Sequence, residues 1–213
     1  MEKSKLIPYY NGSKWGFCDA QKNIVIPCKY DKVERFNGKL AKIFREKFDF
    51  TNERTICMLN CGLINDAGKE VLPCEYCIIG PFSENLAVIC KTVNHVSQYG
   101  YMNTTGEIVI PLAFSQANDF KEGRAIVSRE RYGSLFFIDR EGKTCSKVYS
   151  KLQHFSEGLA AAFIDGRWGY INKNDEWVIP PRYKLVHPFE DGLTSVYVDN
   201  GFGYLGIDGT EYF

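Results

Sequence analysis

Trp168-Gly169-Tyr170-Ile171-Asn172, then Val178-Ile179-Pro180, Tyr183, Phe189 and Gly192-Leu193, is the stretch that decides how this 213-residue chain folds, because its order recurs. Upstream it reads Trp15-Gly16-Phe17-Cys18-Asp19, Ile24-Val25-Ile26-Pro27, Tyr30-Asp31, Phe36 and Leu40-Ala41. It returns as Gly62-Leu63-Ile64-Asn65, Val71-Leu72-Pro73, Tyr76, Phe82 and Leu86-Ala87. A third copy is Tyr99-Gly100-Tyr101-Met102-Asn103, Ile108-Val109-Ile110-Pro111, Phe120 and Gly123-Arg124-Ala125. A degenerate copy holds Phe137-Ile138-Asp139, Gly142, Phe155 and Gly158-Leu159-Ala160, and a partial one, Phe202-Gly203-Tyr204, Asp208 and Gly209, closes the chain. Pro and Phe stand nine residues apart in each of the four copies that keep the Pro, and the recurring Phe steps by 46, 38, 35 and 34 residues. A unit of about 34 to 35 residues lies within the range of repeat architectures. The long first step marks an insertion, Arg45 to Thr55.

Each unit carries three short candidate strands: a Leu-Ala strand, the Trp-Gly-aromatic strand and the Val-Ile-Pro strand. Between the last two stand Asp19, Asn65, Asn103, Asp139 and Asn172, with Gly68, Gly106 and Gly142 three residues after three of them. An Asx side chain bonds the backbone two residues on and a Gly supplies φ > 0, so these are hairpin turns. The Pro, lacking an N–H, is expected to end pairing. Six Leu-Ala-type strands can be counted: Leu6 to Tyr10, Leu40 to Phe44, Leu86 to Cys90, Arg124 to Ser128, Leu159 to Phe163 and Leu193 to Val198. Most are apolar on both faces and so need cover on both. The expected fold is therefore all-β: one domain, 1–213, of about six three-stranded antiparallel units near 5–36, 39–82, 85–120, 123–155, 158–189 and 192–213. A propeller-like toroid is expected over an open curved β-solenoid, because an open array needs polar caps and the terminal strands are not polar.

These motifs resemble the WG-repeat family, whose pattern runs Trp-Gly-aromatic-Ile-Asp, a turn with Gly, Val-Ile-Pro, Tyr-Asp, then Phe and Gly-Leu-Ala. The resemblance covers nearly the whole chain and is closest over residues 14–43 and 167–196. The second copy has Cys61 in place of the Trp, the third has Tyr99, and the fourth has lost both the Trp-Gly pair and the Pro. The family implies a repetitive β structure with a binding or scaffolding role and no shared catalytic residues.

Composition agrees with a strand-rich fold. Aromatics make up 15% of the chain and Gly numbers 19, while long runs of helix formers are missing. With 26 Lys plus Arg against 26 Asp plus Glu the net charge is zero. That balance argues against a nucleic-acid partner, which needs a basic surface. The longest apolar runs, Ile108 to Phe114 and Leu159 to Ile164, are far below the ~18 to 20 residues of a membrane-spanning helix. The first residues hold no apolar segment of signal-peptide length. Eight cysteines in such a chain read as reduced thiols, so a cytoplasmic location is expected.

The sharpest chemical constellation is Cys57 and Cys61 followed by Cys74 and Cys77, a spacing similar to four-thiolate zinc sites. The repeat register offers another account for two of them, since Cys61 fills the Trp position and Cys74 that of Cys28, as small buried hydrophobes. Zinc is thus the alternative, and no cofactor is expected. Three of the five Asx positions are Asn and not Asp, so turn capping explains them better than a carboxylate site. Aromatics at fixed repeat positions read first as core between units and second as a carbohydrate-stacking array. His95, His154 and His187 fall in inter-strand loops without a nucleophile-base pattern, and His95 occupies Thr92 to Gln98, longer than its counterparts. Function on a rigid repeat scaffold is lodged where the period breaks. The candidate binding residues are therefore Arg45, Lys47, Phe48, Phe50 and Arg54 in the insertion, with His95. The expectation is a monomeric, non-enzymatic scaffold presenting loops to a protein or peptide, with carbohydrate binding through exposed aromatics as the alternative.

Overall fold

The computed structural model describes residues 6–49, 56–199 and 201–213, with the backbone alone at 48–49 and 56–58. Among the described residues every regular element is a strand, and no helix is long and apolar enough to cross a membrane. The strands form six small antiparallel meanders. The first is β1 (Ile7–Tyr10), β2 (Trp15–Cys18) and β3 (Ile24–Tyr30). The second is β4 (Lys32–Val33), β5 (Leu40–Asp49), β6 (Ile56–Asn65) and β7 (Glu70–Tyr76), and the third β8 (Ile78–Ser83), β9 (Leu86–Val93), β10 (Val96–Asn103) and β11 (Ile108–Phe114). The fourth keeps three strands, β12 (Gln116–Ala117), β13 (Ala125–Ser128) and β14 (Phe136–Ile138). The fifth is β15 (Lys151–Leu152), β16 (Ala160–Ile164), β17 (Arg167–Ile171) and β18 (Trp177–Tyr183); the sixth is β19 (Leu185–Val186), β20 (Leu193–Val198), β21 (Gly201–Gly206) and β22 (Glu211–Tyr212).

Two expectations are corrected here. Four of the six sheets have four strands, not three, because the residues between the Pro and the Phe supply an extra strand that pairs with the Leu-Ala strand, as Val186 does with Val196. The sheets accordingly begin near 7, 32, 78, 116, 151 and 185, each ahead of the expected unit boundary except the first. The Pro does not end pairing either. β3, β7, β11 and β18 all run three residues past it, to Tyr30, Tyr76, Phe114 and Tyr183. The register shifts around it, with Phe17 opposite Ile26 but Trp15 opposite Tyr30, so the Pro is absorbed in a β-bulge, where a missing N–H costs no ladder bond.

The Asx turns form as the sequence requires. Asn65 Oδ1 accepts the amides of Ala67 and Lys69 at 3.1 and 2.9 Å, and Asp139, Asn103, Asn172 and Asp19 repeat the arrangement. The left-handed position three residues on is Gly68, Gly106 or Gly142, and where Gly is missing Lys22 and Asp175 adopt φ 67° and 64°.

By contacts the chain divides into two compact units, Met1–Pro81 with Ala87–Leu112, and Phe82–Leu86 with Ala113–Phe213. In the first, one core joins the facing sides of the first two sheets through Phe17, Ile26, Tyr30, Ala41, Ile43 and Ile64. Another joins the second and third through Leu63, Leu72, Ile79, Ala87, Ile89 and Met102. In the second unit, Phe137, Phe155, Ala160 and Ile171 fill one core and Trp168, Tyr170, Tyr183, Phe189, Val196 and Leu205 another. The periodic Phe is an inter-sheet contact: Phe36 packs on Phe17, Phe155 on Phe137 and Phe189 on Tyr170, with ring centroids 4.9, 4.8 and 4.7 Å apart.

Candidate functional site

The insertion is the outer part of a long hairpin. β5 and β6 pair from Leu40 opposite Asn65 out to Asp49 opposite Ile56. Their flanking strands stop earlier, β4 at Phe44 and β7 at Cys61, so Arg45–Asp49 and Ile56–Asn60 run on as a two-stranded ribbon. Its base is anchored by two carboxylates. On one side Arg45 donates to Glu70 at 2.7 Å and lies 5.4 Å from the Tyr30 ring, while the Tyr30 hydroxyl donates to the same carboxylate at 3.0 Å. Burial, and then Glu70, push the Tyr30 hydroxyl well above its ordinary range. On the other side Asp31 accepts the Glu46 amide at 2.9 Å and the Lys14 ammonium, and the Lys14 bond above all holds its carboxyl low.

Arg45 is thus a ribbon anchor, engaged within its own unit. Lys47 is exposed. The side chain of Phe48 lies outside the described residues, as do Phe50 and Arg54 altogether. His95 is exposed too, but its setting differs from the expected loop. Thr92 to Gln98 is strand on either side of a two-residue turn, Asn94-His95, with both residues left-handed at φ 49° and 63°. Two successive positive φ values make a type I′ turn, a conformation Asn and His tolerate better than most residues. The sequence lacked the usual Gly signal for it.

The zinc-like cysteines diverge. Cys61 lies in the core shared by the second and third sheets and its thiol donates to the Tyr76 carbonyl at 3.2 Å. Cys74 packs on the opposite core, against the first sheet, with its sulfur 3.6 Å from the Ile43 carbonyl. Burial raises both thiols, Cys74 to about 11. Cys77 turns to Cys90, a residue left outside the sequence constellation. The Cys57 side chain lies outside the described residues, and among the described residues no group of three His, Cys, Asp or Glu is placed to hold a metal.

Burial separates the histidines. His154 is largely enclosed, its Nε2 3.4 Å from the Asn118 amide; enclosure and the charge of Lys121 lower its pKa against the opposing Asp119. One further surface was invisible in the sequence. On the sixth sheet Tyr197, Phe202 and Tyr204 form an exposed aromatic row with centroids 5.2 and 5.4 Å apart. Leu193, Phe202 and Tyr204 are 45%, 48% and 51% exposed, whereas the equivalent Leu159, Trp168 and Tyr170 of the fifth sheet are 8%, 8% and 1% exposed.

A sequence family described as WG containing repeat matches residues 15–44, 62–92, 99–130, 136–168 and 168–202. Among curated proteins none matches the chain. A solved structure described as the crystal structure of the eukaryotic initiation factor superposes with a TM-score of 0.51 at 8% identity, over 98% of this chain. The chain spans 62% of that protein's length, and the likeness is one of fold.

Proposed function

Because the chain belongs to the WG containing repeat family, we propose that it is a non-enzymatic binding module, a rigid β-repeat scaffold that presents its projecting hairpin to a protein or peptide partner. The ribbon Arg45–Asp49 and Ile56–Asn60 carries this reading: it extends past both flanking strands and its base is held by Glu70 and Asp31. A two-stranded ribbon with open edges suits an extended peptide or a partner's sheet edge, which it would bind through backbone hydrogen bonds. The test replaces residues 46–59 by a two-residue turn. Proteins retained by the full chain and lost by the shortened, still folded chain support the reading; an unchanged set of retained proteins rejects it.

The exposed row Tyr197, Phe202 and Tyr204 favours a second reading, carbohydrate binding by ring stacking. Retention on insoluble polysaccharide that is lost in Phe202→Ala would support it. A propeller-like toroid is kept as the proposed arrangement of the six sheets, over an open curved array. Small-angle scattering separates the two: a compact chain of this length has a radius of gyration of about 17 Å, and an open array exceeds it.

A further inference from the structure

The thiols of Cys77 and Cys90 stand 3.2 Å apart, across the junction where the Cys77 amide donates to the Cys90 carbonyl at 2.9 Å. Their positions recur thirteen residues apart in three other sheets, as Asp31 with Phe44, Ser115 with Ser128 and Lys184 with Tyr197, each pair joined by the same amide-to-carbonyl bond. Only in the third sheet are both members cysteine. Cys77 is exposed and Cys90 is buried. The Cys77 sulfur also lies 3.6 Å from the Thr92 hydroxyl, which is 3.2 Å from that of Ser97.

We propose that Cys77 and Cys90 form a dithiol site that is reversibly oxidised to a cross-strand disulfide by small-molecule disulfides. Accessibility sets the order of events. The exposed Cys77 sulfur, as thiolate, attacks one sulfur of the oxidant RSSR; the S–S bond breaks and RS⁻ leaves, taking up a proton. The Cys90 sulfur gives up its proton and attacks the Cys77 sulfur of the mixed disulfide, releasing the second RSH. The two cysteines lose two electrons and two protons, and RSSR gains them as two RSH. The sulfurs need close only from 3.2 Å to a bond of about 2.05 Å. Burial and the neighbouring Cys77 push the Cys90 thiol up to about 12, which argues against Cys90 making the first attack. Ser115 and Ser128 fill the same two positions in the fourth sheet, so serine at either cysteine is already a solution this fold uses.

The test treats the reduced full-length chain with glutathione disulfide and blocks free thiols with iodoacetamide in denaturant. Reduction and N-ethylmaleimide labelling follow, and the tryptic peptide Glu70–Lys91, which holds Cys74, Cys77 and Cys90, is sequenced by mass spectrometry. In the native sequence Cys77 and Cys90 should carry N-ethylmaleimide, Cys74 the first label, and no glutathione should remain before reduction. Cys90→Ser should trap one glutathione on Cys77, and Cys77→Ser should leave Cys90 unoxidised. Glutathione persisting on Cys77 in the native sequence, a Cys74 linkage, or no oxidation at either position would overturn the proposal.

Discussion

Gly169 lies against the peptide of Pro180 with no room for a side chain: a Cβ there would stand 2.5 Å from the Ile179 carbonyl oxygen, 2.7 Å from the Pro181 nitrogen and 2.8 Å from the Pro180 carbonyl carbon. Gly16 meets the bulge at Pro27 in the same way, Gly62 that at Pro73 and Gly100 that at Pro111. The backbone of these glycines is not left-handed, so space and not φ excludes a side chain. This accounts for the grammar of the repeat. The Trp is replaced by Cys61 and Tyr99 while the Gly stays, and the fourth copy, which has Phe136 at the Gly position, has lost the Pro as well. The pair is kept or lost together because the Pro bulge needs an opposite strand without a Cβ.

Gly169→Ala should therefore lower stability by about 1–3 kcal/mol, the cost of overpacking against backbone that cannot yield. Gly201→Ala, where a Cβ meets nothing within 4 Å, serves as the control and should stay within about 0.5 kcal/mol. Urea unfolding of the two variants checks the difference; equal midpoints would reject the steric account.

A second periodic device lies in the second unit. The carboxylates of Glu84, Glu122 and Glu157 accept the amides of Gly123, Gly158 and Gly192 at 2.9, 3.0 and 2.9 Å, each reaching to the turn of the next repeat. All three glutamates are left-handed, at φ 51°, 50° and 54°. The strain of that conformation is offset by a charge-assisted bond that ties neighbouring turns together. Glu122→Ala should cost about 1.5 kcal/mol and Glu122→Gln, which keeps an acceptor, clearly less. Thermal unfolding of both variants measures this, and an equal loss in the two would show that the bond to Gly158 is not what the glutamate contributes.

The periodicity made the all-β class, the Asx turns and the inter-sheet Phe legible, because each rests on local chemistry repeated at fixed spacing. Pro27 misled because a lone Pro reads as a stop; its tolerance depends on Gly16, eleven residues away on the opposing strand. The short strands such as Leu185–Val186 were missed because two residues carry no alternation. Of the candidate site, the hairpin insertion was visible as a break in period, but the engagement of Arg45 with Glu70 spans 25 residues and could not be read. Metal spacing along the chain points to Cys57 and Cys61, whereas the sulfur beside Cys77 is that of Cys90, thirteen residues away across a strand pair.

Enclosure of His154 gives stability a pH dependence with a definite sign. Its pKa is lowered from 6.5, so the unfolded chain binds the proton more readily and folding stability falls as pH drops below 6.5, levelling off below the folded value. The groups facing the ring are Asn118, Lys121 and Asp119, and the last only partly compensates. Carboxylates held low, such as Asp31 and Asp199, lose their contribution in a separate window, below 3.8. His154→Gln should flatten the decline between pH 7 and 5 while leaving the acid limb in place. Denaturant midpoints across that range test it, and an unchanged slope would assign the decline elsewhere.

The unequal burial of equivalent aromatics yields a paired comparison. Trp168 is 8% exposed, packs 5.2 Å from the Phe163 ring and belongs to the core between the fifth and sixth sheets, so Trp168→Ala should cost about 3–5 kcal/mol. Phe202, at the same repeat position thirty-four residues on, is 48% exposed and touches Tyr197 and Tyr204, so Phe202→Ala should cost less than about 1 kcal/mol. A Phe202→Ala loss as large as that of Trp168→Ala would mean that the outer face of the sixth sheet is covered in solution. Dependence of that loss on protein concentration would then assign the cover to a second copy, and independence to the chain itself.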